Sequence, residues 1–104
     1  MAQGTLADAE KNFRESIALD PASGRHRVAY GWLLVRQSRY DEAVAQYEEA
    51  VKIVPDAVTY FSLGSALEQQ HKLPQAAEAY RKTLALAPDF QEAQSRLVAI
   101  AGDR

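Results

Sequence analysis

Residues 28–35 read Val28-Ala29-Tyr30-Gly31-Trp32-Leu33-Leu34-Val35, apolar at every position. As a helix this run has no polar face, because eight residues at 3.6 per turn go more than twice round the axis. It is far too short to cross a bilayer. Its cover must therefore be protein: neighbouring helices on some sides and, on what remains, a ligand, another subunit or a missing part of the chain.

Outward from this run, Pro and Gly punctuate the chain regularly, and between them apolar residues recur at three and four, the spacing of one helix face. No segment alternates as a strand does. The first helix covers residues 5–19, with Thr5 as N-cap, Asp8 completing a capping box, and Leu6, Ala9, Phe13 and Ile17 turned inward. Asp20-Pro21 ends it, since a residue before proline is pushed out of the helical region. Ser23 caps a second helix, 25–37, which holds the apolar run. A third, 40–54, buries Tyr40, Ala43, Val44, Tyr47, Ala50 and Val51 and stops at Pro55. Asp56 caps a fourth, 57–71, with Tyr60, Leu63, Gly64 and Leu67 inside. Pro74 suits the first position of a fifth, 74–87, which buries Ala76, Ala77, Tyr80 and Leu84 and stops at Pro88. Asp89 and Glu92 form a capping box for a sixth that runs to 101, before Gly102. Glu10 with Arg14, Glu48 with Lys52, Glu78 with Lys82 and Glu92 with Arg96 are spaced as i,i+4 pairs that support their helices.

At 104 residues the chain is one domain, large enough to fold without a disulfide or metal, and with no cysteine it leaves its redox compartment open. Twelve Lys and Arg stand against fourteen Asp and Glu, a net charge of −2, with the signs interspersed. That argues against nucleic acid and against a polybasic membrane patch. Met1 to Gly4 lead directly into a polar helical pattern, without the basic flank and apolar core of a signal peptide. The expectation is a soluble, unexported chain with no transmembrane segment.

Laid on itself, the chain repeats at 34 and then 33 residues: Ala9, Ala43 and Ala76 fall in register, as do Phe13, Tyr47 and Tyr80, and Pro21, Pro55 and Pro88. The copy with Tyr60, Leu63-Gly64, Leu67, Ala76, Tyr80 and Pro88 resembles the tetratricopeptide repeat family, whose pattern is an aromatic, Leu-Gly, a second aromatic, Ala-x3-aromatic and Pro over 34 residues. The copy before it has Tyr30-Gly31, Leu34, Ala43, Tyr47, Ala50 and Pro55, with Arg27 where the first aromatic belongs. The resemblance implies a single all-α domain over 1–104, a right-handed superhelical stack of antiparallel helix pairs with six helices. It divides into a half-repeat over 1–22, repeats over 23–56 and 57–89, and a capping helix over 90–104 in which Leu97 continues the register. Small residues at 31, 43, 64 and 76 let paired helices approach, while Tyr47 and Tyr80 fill the space between.

In this family the first helix of each repeat lines a concave groove where ligand segments dock. Carried over, that face is Arg25, Val28, Ala29, Trp32, Val35 and Arg36 from one repeat, Val58, Phe61, Ser62, Ser65, Glu68 and Gln69 from the next, and Arg96 on the cap. The Lys and Asn with which the family's chaperone-tail receptors clamp a terminal carboxylate are absent from it. Val28, Trp32, Val35 and Phe61 make an apolar floor for a peptide or helix of a partner protein, with Trp32 as anchor and the arginines and Glu68 at the rim. The alternative is structural: the same apolar surface joins copies of the chain into a homo-oligomer through the N-terminal helices. No enzyme is expected, and no cofactor. His26 and His71 form no His-x3-His pair and have no nucleophile motif beside them, so neither reads as a metal ligand or catalyst.

Overall fold

The computed structural model describes residues 5–102. They form α1 (Leu6–Leu19), α2 (Gly24–Arg36), α3 (Tyr40–Ile53), α4 (Ala57–Gln69), α5 (Leu73–Leu86) and α6 (Gln91–Gly102). Each helix packs chiefly on its neighbours in sequence, α2 with α3 and α4 with α5 most closely, and the stack measures 46 × 26 × 20 Å. No helix among the described residues is long and apolar enough to cross a membrane.

Helix starts follow the capping residues. Thr5 Oγ1 accepts from Asp8 N at 3.1 Å, Ser23 Oγ from His26 N at 3.3 Å, and Asp56 Oδ1 from Thr59 N at 2.9 Å. Each occupies one of the first-turn donors that the helix itself leaves free. The sixth helix departs from expectation: it opens at Gln91, with the Phe90 carbonyl accepting from Gln94 N, so Asp89 stands one residue outside the cap position. Pro74 likewise sits second in α5, which begins at Leu73.

Two kinds of turn alternate. Asp20, Val54 and Ala87, each before a proline, share a non-helical backbone with φ of −141°, −127° and −139° and ψ of 77°, 82° and 84°, since the proline ring disfavours the helical region. At the other ends, Ser38 and His71 adopt φ of 60° and 61°. There the backbone closes a Schellman motif: Ser38 N donates to Val35 O and Arg39 N to Leu34 O, and His71 N and Lys72 N repeat the pattern on Glu68 O and Leu67 O. These motifs end α2 at Arg36 and α4 at Gln69, earlier than the expected 37 and 71.

The core runs along the stack. Tyr47 and Tyr80 are each 1 % exposed, and their rings lie directly on Gly31 and Gly64. A Cβ on Gly31 would stand 2.4 Å from Tyr47 Cε1, and one on Gly64 2.8 Å from Tyr80 Cε1, so only glycine permits this approach. Ala43, Ala50, Ala76 and Thr83 are fully buried, and Thr83 Oγ1 satisfies itself on the Ala79 carbonyl at 3.0 Å. In α1 the inward stripe of Ala9, Phe13 and Ile17 is only half-buried, and the Leu6 side chain lies outside the described residues. The apolar run of α2 is mostly covered by the protein itself: Val28, Tyr30, Gly31, Leu33 and Leu34 are buried, Ala29 and Val35 half-buried, and Trp32 exposed.

Polar side chains tie down α1 and α6. Glu10 of α1 accepts from Tyr30 Oη at 2.8 Å, Arg39 Nη1 at 2.8 Å and Arg14 Nη2 at 3.0 Å. The Arg39 guanidinium and the Tyr30 hydroxyl hold the Glu10 carboxyl down to about 2. Of the four expected i,i+4 pairs only Glu10–Arg14 forms among the described residues. Lys52 meets Glu49 at 3.0 Å and Arg81 meets Glu78 at 3.1 Å, while Lys82 lies over the Tyr60 ring and Arg96 crosses to Glu68. Positions three and four apart are equally near on a helix surface, and the sheltered Glu68 carboxylate attracts Arg96 more strongly than exposed Glu92 does.

Candidate peptide-binding groove

The α2 face that carries Arg25, Val28, Ala29 and Trp32 meets the start of α4 across a cleft of about 230 Å³. Val54, Asp56, Val58 and Thr59 form the opposite wall. Trp32 is 50 % exposed and Val58 49 %, whereas Val28 is buried and forms the floor. The indole is held in place: Trp32 Nε1 donates to Ser62 Oγ at 3.1 Å, so α4 fixes the orientation of the ring that α2 presents. Thr59 is fixed in turn by Asp56, whose Oδ1 accepts from Thr59 Oγ1 at 2.7 Å. Arg25 and Arg36 are exposed on the same side of α2 as Trp32, and neither forms an ion pair among the described residues.

The other expected groove residues have different places. Phe61 lies 5.5 Å from Tyr80 and 4.9 Å from Phe90, ring centroid to centroid, so it belongs to the junction of α4, α5 and α6 and not to the floor beside Trp32. Ser62 is buried under the indole; Val35 and Ser65 are half-buried, and Gln69 is exposed. Glu68 and Arg96 do not stand free at the rim. Glu68 Oε1 accepts from Arg96 Nε at 3.0 Å and from Tyr80 Oη at 2.8 Å, and a second Arg96–Glu68 contact completes a fork. The Arg96 guanidinium lowers the Glu68 carboxyl below its ordinary range, and burial raises the Tyr80 phenol. Charge at this end of the groove is therefore neutralised internally.

Val54, Asp56 and Thr59 were not among the expected residues. They reach the cleft because the non-helical pre-proline backbone at Val54 turns the chain back over α2, and the Val54-Pro55-Asp56 punctuation is the signal that could have placed them. His26 is half-buried with Nδ1 enclosed and unpartnered, and His71 is exposed in its turn. Among the described residues no group of three or more His, Asp or Glu could hold a metal ion.

A family model described as "Tetratricopeptide repeat" matches residues 1–58, and a second of the same description matches residues 57–90. The chain belongs to the tetratricopeptide repeat (TPR) family. A relative from Arabidopsis thaliana, the chloroplastic TPR domain-containing protein PYG7, is 38 % identical over 69 residues, 65 % of this chain and 23 % of that protein. The chain thus spans about a quarter of that relative's length. Solved TPR structures share the fold: the first TPR of Spaghetti (RPAP3) bound to the HSP90 peptide SRMEEVD superposes with a TM-score of 0.90 at 22 % identity, covering 97 % of this chain and 81 % of that one. MamA does so with 0.90 at 19 % identity, covering 97 % and 60 %. The type III secretion translocator chaperone SycD of Yersinia enterocolitica gives 0.84 at 24 % identity, covering 96 % and 74 %. At these identities the TPR likeness concerns architecture.

Proposed function

We propose that this chain is a non-catalytic protein-interaction module that binds a peptide or helix of a partner protein in the cleft between α2 and α4, without a cofactor. One observation carries the reading: a half-exposed tryptophan, its ring fixed through Ser62, stands in an apolar cleft walled by Val58 and floored by Val28. A large aromatic already ordered before binding loses little entropy on contact, which is what an anchor needs. Arg25 and Arg36 lie on the Trp32 face, eleven residues apart or roughly 16 Å along a helix. They favour a partner segment with an apolar side chain flanked by carboxylates, while the Glu68–Arg96 pair adds no net charge. The division into a half-repeat over 1–22, repeats over 23–56 and 57–89 and a cap over 90–104 is part of the same reading. So is a protein partner in place of nucleic acid.

Trp32 is the chain's one tryptophan, so its emission reports the cleft without a label. Peptides selected from a displayed random library on the wild-type chain should shift that emission to the blue on binding. By isothermal titration calorimetry, which needs no tryptophan, the Trp32→Ala variant, which keeps the mass of the particle, should bind the same peptides at least about tenfold more weakly than wild type, the loss of one hot-spot side chain. Selected peptides that bind both proteins equally would sink the reading. A change of particle mass in Trp32→Ala would instead assign this surface to joining copies of the chain.

A further inference from the structure

The cleft between α2 and α4 has walls of opposite charge. Of the residues lining it, the charged ones are Arg25 on the α2 side and Asp56 on the α4 side. Both are exposed, and they form no ion pair with each other although they border the same space of about 230 Å³. Asp56 caps α4, but capping occupies only half of its carboxylate. Oδ1 accepts from Thr59 N at 2.9 Å and from Thr59 Oγ1 at 2.7 Å, which fills its two lone pairs. Oδ2 accepts no hydrogen bond among the described residues. Thr59 is itself only 2 % exposed, so these two bonds hold the carboxylate in one place before anything binds. The α4 N-terminus offsets about half of its charge, and the remainder faces the cleft.

This combination occurs once in the stack. One repeat on, the positions of Arg25, Trp32 and Val58 hold Val58, Ser65 and Gln91, and only the carboxylate is kept, as exposed Asp89. A charge beside a half-exposed tryptophan is therefore particular to the α2–α4 cleft. One free oxygen is too little for an arginine fork, which needs both oxygens of a carboxylate, whereas a lysine ammonium is a point donor. A lysine also lays its four-carbon stem along apolar surface while its head stays in water, and half-exposed Val58 on the same wall offers that surface. We infer that the partner segment seated in this cleft carries a lysine beside its apolar anchor, and that Asp56 Oδ2 receives the ammonium. The inference rests on the peptide-binding reading of the cleft. It makes the segment polar across its width, with a carboxylate toward Arg25 and a lysine toward Asp56.

The test uses peptides selected from a displayed random library on the wild-type chain. Lysine should be enriched beside their shared apolar residue. A double-mutant cycle then isolates the pair: Asp56→Asn in the chain against replacement of that lysine by methionine in the synthetic peptide, with affinities measured by calorimetry. Asparagine caps a helix as well as aspartate does, so circular dichroism should show unchanged helix content; should that variant not fold, Asp56→Ser, also a good cap, takes its place. On wild type the methionine peptide should bind about three- to fivefold more weakly, the range of an exposed ion pair. On Asp56→Asn the two peptides should bind alike. Asp89→Asn removes the same charge from the same repeat position outside the cleft, and should keep the full difference. Selected peptides without a preference for lysine overturn the inference, as does a folded Asp56→Asn that keeps the difference; in both cases weaker binding to Trp32→Ala would leave the cleft itself standing. Equal losses of the difference in Asp56→Asn and Asp89→Asn also overturn it, since they mark attraction to the net charge of the chain. Peptides that bind Trp32→Ala as tightly as wild type overturn the reading of the cleft, and this inference with it.

Discussion

Ser38 and His71 carry positive φ at the same place in successive turns, where an L side chain crowds the following carbonyl by about 1–2 kcal/mol and glycine does not. Ser38→Gly and His71→Gly should therefore each stabilise the fold by about 0.5–1 kcal/mol after the extra unfolded-state entropy of glycine is subtracted. Chemical denaturation of the single and double variants checks this, with additive gains expected because the two turns are separate. The opposite change is expected under the tyrosines. Overpacking of about 1–3 kcal/mol outweighs the helix-propensity gain of about 1 kcal/mol for Gly→Ala. Gly31→Ala should lose more than Gly64→Ala, since three atoms of the Tyr47 ring lie within 3.0 Å of the added Cβ and only two of Tyr80 do. Equal midpoints for the two variants would contradict that order.

Among the elements, α1 is held through an ionised group, the Glu10 carboxylate that Tyr30 and Arg39 engage. Glu10 titrates at about 2 in the folded chain against an ordinary 4.5, so its contribution is complete above about pH 4.5 and disappears as pH falls toward 2. Amide exchange should show α1 losing protection across that window before α3 and α5 do. Glu10→Gln should expose α1 already at neutral pH and flatten the dependence. A wild-type α1 that stays protected down to pH 2 would assign its docking to Phe13 and Ile17 alone. The helices themselves were legible in the sequence because capping residues, prolines and apolar spacing agreed at Thr5, Ser23 and Asp56. The ends of α2 and α4 were less so, because Ser38 and His71 give no glycine signal for a left-handed residue. Of the residues expected to line a groove, Arg25, Val28, Ala29, Trp32 and Val58 share the cleft between α2 and α4. Phe61, Glu68 and Arg96 were not free to join them, since a helix face says which way a side chain points but not which neighbour from α5 or α6 already engages it.

For the whole molecule, contacts run from each helix to the next, with α2 to α4 the main link beyond nearest neighbours. Stability is then a sum of neighbour interfaces, and the interfaces differ in kind. The inner pairs are locked by a ring against a backbone, at Gly31 and Gly64. The outer helices are held by a glutamate, an arginine and a tyrosine hydroxyl, around Glu10 at one end and Glu68 at the other. Under tension applied at the two termini these differences set an order of rupture. A side-chain fork facing water shares its bonds with solvent and parts gradually, whereas a ring pressed onto a bare Cα gives way only when the helices separate. Pulled from its ends by optical tweezers, the chain should lengthen first by two low-force steps the size of α1 and α6, followed by one abrupt opening of α2 to α5. A stack of this make behaves as a compliant tether with a stiff centre, and the Trp32 cleft lies wholly in that centre.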